Sequence, residues 1–238
     1  MFHFSNSGQG RLITQSSDNS LQLWQIDGST ITMKHSVCLE GRLKTISCLC
    51  LEKNKKRLLV GTEGGNIYQL AVHSFTFEDE IIYQDVLMRN VPDNFKLNPG
   101  AVEALIEHPG LASVLVVGYT RGLVLVWDRN TATSLSTMVS QQQLESFHWR
   151  HVSSGGEPSL VTCHNDGSYV IWDPASGEQR EREPPSTPYG PYPCKAINKI
   201  HDREVEGEGS WSIFSGGMPR ASYGDKFTVS AMRRRCLT

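Results

Sequence analysis

The apolar and polar positions of the chain fall into one arrangement that recurs four times. In the first copy Leu12-Ile13-Thr14 is followed by a polar turn at Asp18-Asn19 and then by Ser20-Leu21-Gln22-Leu23-Trp24. In the second, Leu58-Leu59-Val60-Gly61 leads through Gly64-Gly65 to Asn66-Ile67-Tyr68-Gln69-Leu70. The third runs from Leu115-Val116-Val117-Gly118 through Arg121-Gly122 to Leu123-Val124-Leu125-Val126-Trp127-Asp128. The fourth runs from Leu160-Val161-Thr162-Cys163 through Asp166-Gly167 to Ser168-Tyr169-Val170-Ile171-Trp172-Asp173. Short runs rich in Val, Ile and Leu, bounded by Gly, Asn and Asp, read as buried strands. Each copy therefore predicts two antiparallel strands. The turn pairs all lie six positions before the closing residue, and such pairs allow the positive φ angles of a two-residue hairpin turn.

The closing residues Trp24, Leu70, Trp127 and Trp172 stand 46, 57 and 45 positions apart. A period of about 40 to 50 residues, with Trp-Asp ending a strand, is the signature of WD-repeat propeller blades. The predicted fold class is all-β: an incomplete WD-repeat β-propeller of four to five blades. One four-stranded sheet cannot cover both of its faces, so blades stack and bury them against each other. The Trp and Asp residues are read as shaping and filling the blades, with no catalytic role. Residues 1–182 hold about four blades. From 183 onward the texture changes to a Pro-rich connection and part of a further blade. Glu178 to Pro188 is charged and Pro-rich and reads as a surface connection. Asp202 to Gly209 reads as an acidic loop, and Trp211–Ser215 with Phe227–Met232 as a hairpin of a fifth blade. The segment Phe77 to Leu97 is long for a blade loop and is read as carrying a short helix around Asp85 to Arg89.

Composition narrows the partner classes. Apolar residues make up 38% of the 238 positions, enough for a core. With 23 Lys and Arg against 25 Asp and Glu, the net charge of −2 gives no general electrostatic reason to bind nucleic acid or acidic membrane. No apolar run approaches the roughly 20 residues needed to span a bilayer. The opening Phe2-His3-Phe4-Ser5-Asn6 lacks the basic and apolar regions of a signal peptide and reads as an incoming strand. The six Cys, at 38, 48, 50, 163, 194 and 236, form no Cys-x-x-Cys pair, and no Asn-x-Ser/Thr site occurs. A reduced intracellular compartment is the expectation, although an even Cys count leaves disulfides open.

Catalytic patterns are scarce. Gly8-Gln9-Gly10 precedes a strand and lacks the third Gly of a dinucleotide fingerprint, and neither a phosphate loop nor a nucleophile elbow occurs. His148 and His151 have His-x-x-His spacing without a third ligand nearby and read as ordinary strand-end or loop residues. Glu204 and Glu206 read as a solvated surface. The tail Arg233-Arg234-Arg235 carries too few charges for stable membrane attachment. The expectation is a chain with no catalytic, cofactor or metal site.

Two further stretches resemble a known family. Pro188-Tyr189-Gly190-Pro191-Tyr192-Pro193-Cys194-Lys195-Ala196-Ile197 resembles a segment shared by the lethal giant larvae proteins and the related tomosyns. Phe214-Ser215-Gly216-Gly217-Met218-Pro219-Arg220-Ala221-Ser222-Tyr223-Gly224-Asp225 is similar to lethal giant larvae rather than tomosyn. Asp18 to Trp24, Gly118 to Val124 and Ser140 to Glu145 match the same family in the same order. The resemblance implies two seven-bladed propellers, of which this chain would hold four to five blades. It also implies a non-enzymatic scaffold of cell polarity and polarised exocytosis. The implied partners are syntaxin-type SNAREs, non-muscle myosin II and the Par–atypical protein kinase C complex, with a Rab-type GTPase further off. The implied location is the cytoplasm and cell cortex, at the plasma-membrane periphery. Pro188, Tyr189, Gly190, Pro191, Cys194, Lys195, Met218, Pro219, Arg220 and Tyr223 are the candidate protein-contact residues, with turn-forming roles as the alternative. Nothing here matches the family's basic kinase-target stretch. Two other readings stay open: a direct activator of a small GTPase working through an arginine such as Arg121 or Arg220, and a non-functional partial product. An open set of blades leaves apolar faces uncovered at both ends, so low stability alone is the expectation.

Overall fold

The computed structural model describes residues 2–6, 9–96, 98–150, 157–183, 196–198, 212–214 and 232–233. Strands dominate, in four-stranded antiparallel sheets. The first holds β1 (Phe2–Asn6), β2 (Gln9–Gln15), β3 (Ser20–Asp27) and β4 (Thr30–Cys38), in that order. The second holds β5 (Ile46–Leu51), β6 (Arg57–Thr62), β7 (Ile67–Ala71) and β8 (Thr76–Ile82). Two short helices follow, α1 (Gln84–Leu87) and α2 (Asp93–Lys96). The third sheet holds β9 (Val102–Glu107), β10 (Val114–Tyr119), β11 (Leu123–Asp128) and β12 (Thr133–Val139). The fourth holds β13 (Leu144–Arg150), β14 (Ser159–His164), β15 (Tyr169–Trp172) and β16 (Gln179–Glu183). A three-stranded sheet orders β17 (Ala196–Asn198), β18 (Ser212–Phe214) and β19 (Met232–Arg233).

Register shows that the four copies are one unit repeated. The closing residue faces a leucine each time: Leu12 opposite Trp24, Leu58 opposite Leu70, Leu115 opposite Trp127 and Leu160 opposite Trp172. Pairing with the outer strand slips just before that residue in every sheet, between Leu23 and Trp24, Tyr68 and Leu70, Val126 and Trp127, and Ile171 and Trp172. Such a bulge bends the strand locally and strengthens its twist.

The turns depart from expectation in one respect. Only the second residue of each pair has a positive φ: Asn19 at 67°, Gly65 at 79°, Gly122 at 89° and Gly167 at 80°. Each turn closes instead over four positions, the N–H of Asn19, Gly65, Gly122 and Gly167 donating to the carbonyls of Ser16, Thr62, Tyr119 and His164 at 3.0–3.1 Å. Glycine fits the left-handed position without a Cβ penalty, and Asn is the side-chain-bearing residue that tolerates it best.

The chain divides into two compact units, residues 1–86 with 100–105, and 87–99 with 106–238. In the first, Ile13, Leu21 and Leu23 of the first sheet form one core with Ile46, Leu58, Val60, Tyr68 and Leu70 of the second. Full burial of one such aliphatic side chain stabilises by about 1.5–3 kcal/mol. In the second, Val114–Val117 and Leu123–Trp127 are buried continuously, as strands covered on both faces must be. A Cβ added to Gly118 would run into Leu144 and Phe147 of β13, so glycine here permits a close approach of neighbouring sheets. Leu87, Met88 and Val91 are buried, which anchors the long insertion. The helix predicted around Asp85 to Arg89 lies at Gln84–Leu87.

Candidate functional site

The best-defined polar chemistry of the chain lies at the repeated turns and at the closing residues. Asp18 accepts from the backbone N–H and the hydroxyl of Ser20 at 3.1 and 2.7 Å, and Asp166 accepts likewise from Ser168 at 2.9 and 2.6 Å. These bonds favour the charged form, the Ser20 hydroxyl foremost, and hold the Asp18 carboxyl below its ordinary value. The indole of Trp24 donates to the Thr14 hydroxyl at 2.9 Å, and that of Trp172 to Thr162 at 2.8 Å. Thr14 passes the contact to Gln22, and Thr162 to His164 at 3.0 Å. In the second sheet both positions are apolar, as Val60 and Leu70. The third sheet is mixed: Trp127 is 4% exposed, Val117 stands where the threonines stand elsewhere, and the indole nitrogen has no hydrogen-bond partner.

The Asp of each Trp-Asp pair caps the turn after its strand. Asp128 accepts from the N–H of Asn130 at 3.0 Å and the hydroxyl of Thr131 at 3.1 Å. Asp173 accepts from Arg180 at 2.7 Å and from the N–H of Ala175 at 2.9 Å. Both carboxyls lie below their ordinary value, Asp128 chiefly through the Asn130 N–H and Asp173 chiefly through Arg180. These contacts are those of turn-shaping residues.

The connections between strands show how one repeat holds the next. Asn19 donates to the carbonyls of Leu39 and Lys44 at 2.7 and 3.1 Å and accepts from the N–H of Ile46 at 2.7 Å. Asn66 accepts from the N–H of Gln84 at 2.9 Å. In the second unit the backbone does this work, Ser140 donating to Gly122 and Leu144 to Thr120. Leu43, 63% exposed, is held at φ 61° while its carbonyl accepts from Gly64 at 2.9 Å.

The residues named as candidate protein contacts, Pro188, Tyr189, Gly190, Pro191, Cys194, Lys195, Met218, Pro219, Arg220 and Tyr223, lie outside the described residues, as do His151, Glu204 and Glu206. His148 lies half-buried on β13 opposite Val161, and Arg121 is exposed at its turn. Cys38, Cys48, Cys50 and Cys163 are free thiols, and burial pushes the Cys48 thiol up. Among the described residues no group of three His, Cys, Asp or Glu is placed to hold a metal, and no helix is long and apolar enough to cross a membrane. Sequence reasoning missed the threonine partners and the reach of Asn19. The ten-position spacing of Thr14 from Trp24 and of Thr162 from Trp172 was the available signal for the first.

Solved structures share this architecture. One, titled a mitotic checkpoint complex, aligns with a TM-score of 0.60 at 13% identity, covering 90% of this chain and 59% of that one. A computationally designed protein, Ika8, aligns with a TM-score of 0.53 at 17% identity, covering 90% and 54%. Fold and repeat together define an all-β WD-repeat β-propeller, incomplete in the described residues. In sequence, the chain is 40% identical over 227 residues to the Lethal(2) giant larvae protein of Drosophila pseudoobscura pseudoobscura, and 37% identical over 256 residues to Lethal(2) giant larvae protein homolog 1 of Mus musculus. It is 36% identical over 240 residues to the Homo sapiens protein named LLGL scribble cell polarity complex component 2, and a family model described as LLGL2 matches residues 185–237. The chain belongs to the lethal giant larvae family. These alignments cover 94%, 97% and 94% of the chain but 19%, 24% and 23% of the relatives, so it spans about a fifth to a quarter of their length.

Proposed function

We propose that the chain is a non-enzymatic protein-interaction scaffold of the lethal giant larvae type, acting in cell polarity and polarised exocytosis. The observation that carries this reading is the alignment of nearly the whole chain, at 36–40% identity, with proteins of that family. The human relative's own name places that protein in a scribble cell polarity complex. The geometry agrees with a binding role: the polar groups described above shape turns and connections, and loops held on a rigid scaffold are where contact residues concentrate.

The proposed partners are syntaxin-type SNAREs, non-muscle myosin II and the Par–atypical protein kinase C complex, met in the cytoplasm at the cell cortex. Residues 1–182 form the blades in this reading, and 183–238 the family-type segment. That segment offers Pro188, Tyr189, Gly190, Pro191, Cys194, Lys195, Met218, Pro219, Arg220 and Tyr223 as contacts. The test is co-precipitation of syntaxin and myosin II heavy chain from lysate by the 238-residue chain. Enrichment over an unrelated propeller, lost on replacing Tyr189 and Arg220 by alanine without loss of fold, supports both the scaffold and the contact residues. Absence of enrichment overturns the reading.

A further inference from the structure

Among the described residues, β4, β8, β12 and β16 each end their sheet, hydrogen-bonded to one neighbouring strand only. An edge strand offers a row of N–H and C=O groups to any further strand, and proteins blunt such edges with charge or cover. Three of the four are blunted. β8 carries Glu78, Asp79 and Glu80, and Arg57 is ion-paired to Glu78 at 2.8 Å. β16 reads Gln179-Arg180-Glu181-Arg182-Glu183, a strand of alternating charge. β12 is covered: Ser134 donates to the Leu87 carbonyl, Ser136 to that of Pro174, and Gly177 stands against the Thr137 carbonyl.

β4 is the least defended, with one charge along nine residues. It is nine residues long, Thr30-Ile31-Thr32-Met33-Lys34-His35-Ser36-Val37-Cys38, and every side chain but Val37 is exposed. Ile31 and Met33 are 59% and 53% exposed. They stand two positions apart, on one face of the strand. Lys34 is the extra residue where pairing slips from Leu23–His35 to Trp24–Met33, and it is the strand's single formal charge.

We propose that the free edge of β4 is a strand-addition site for an extended, acidic segment of another protein. Main-chain hydrogen bonds along the edge supply affinity, and alternate side chains supply selection. Apolar side chains of the incoming strand lie beside Ile31 and Met33, and a carboxylate meets Lys34. A second copy of β4 would bring a second Lys34 cation into the same short ribbon, where like charges oppose pairing. Charge therefore favours an acidic segment over a copy of this chain.

The test uses the 238-residue chain and two labelled peptides of about ten residues, one alternating Val with Glu and the other Val with Lys. Fluorescence anisotropy is expected to show the Glu peptide binding at least about tenfold tighter than the Lys peptide. Hydrogen exchange is expected to slow in Thr30–Cys38 when the Glu peptide is bound. Ile31→Ser and Met33→Ser, both at exposed positions and checked for unchanged circular dichroism, should each weaken binding by about tenfold. Lys34→Glu should reverse the preference between peptides. Equal binding of the two peptides, no binding of either, or protection outside β4 would overturn the proposal. So would a β4-dependent dimer of the chain alone in sedimentation velocity.

Discussion

Exchanging Val117 for threonine should stabilise the chain, although the same methyl-to-hydroxyl exchange in a buried strand ordinarily costs stability. Trp127 lies 4% exposed with its indole N–H unpaired. A buried donor left without a partner costs about 1–3 kcal/mol. Thr14 and Thr162 show that a hydroxyl at the equivalent position reaches the indole at 2.9 and 2.8 Å. Against the gain stands the loss of one buried methyl, about 0.8 kcal/mol. A second offset is the new hydroxyl proton: Thr14 has Gln22 beside it and Thr162 has His164, whereas β11 offers apolar Leu125. The balance is a stabilisation of at most about 1 kcal/mol. The mirror exchange, Thr162→Val, orphans the buried Trp172 indole and should destabilise by about 1–3 kcal/mol. Urea unfolding followed by tryptophan fluorescence and far-ultraviolet circular dichroism measures both. In melting temperature, about 1 kcal/mol corresponds to about 2–4 °C at this chain length. If Val117→Thr destabilises as much as Thr162→Val, the indole–hydroxyl pair is not what stabilises these sheets.

Gly118→Ala should destabilise by about 1–3 kcal/mol in thermal unfolding, because its Cβ enters the space of Leu144 and Phe147; a melting temperature like that of the parent would contradict that packing. Asn19→Gly keeps the left-handed turn but gives up three side-chain hydrogen bonds, so a loss of about 1–3 kcal/mol is expected in urea. Asp18, Asp128 and Asp173 have folded-state pKa values below the ordinary 3.8. They therefore add stability above that value and lose it as the pH falls through the folded values, so urea midpoints should drop below about pH 4. Asp173→Asn should flatten that acid limb, and an unchanged limb would show that the Arg180 contact does not couple to folding.

The blades were readable because their signal is local. Leu115 to Trp127 carries strand, turn and strand within one short window, and the pairing of Leu115 with Trp127 follows from the turn that joins them. The turn pairs announced a left-handed residue, but not that only the second would take it, since that depends on the Ser16-to-Asn19 bond and its equivalents. Contacts across a connection were out of reach. Asn19 meets Leu39, Lys44 and Ile46 at 20, 25 and 27 positions' distance, and no periodicity encodes such a partner. The exposure of β4 was hidden too, because an alternation such as Ile31-Thr32-Met33 is the same in a covered and an uncovered strand. The candidate contact residues between 188 and 223 rest on resemblance in sequence, with the family model matching that stretch.

Among the four turns, Asn19 alone fills the left-handed position with a side chain, and this changes what mutation can reach. At Gly122 the turn grips the following connection through its own carbonyl. No replacement there can loosen the grip without also straining the turn, since an added Cβ would meet the Ser140 and Gln142 carbonyls. At position 19 the two jobs are separable: glycine keeps the bend and releases the linker, whereas aspartate keeps the bend and turns a donor towards two carbonyls into a charge that repels them. The first joint is thus adjustable by single substitutions, while that of the third repeat is all or nothing. How firmly the first sheet is tied to the second can therefore vary in small steps.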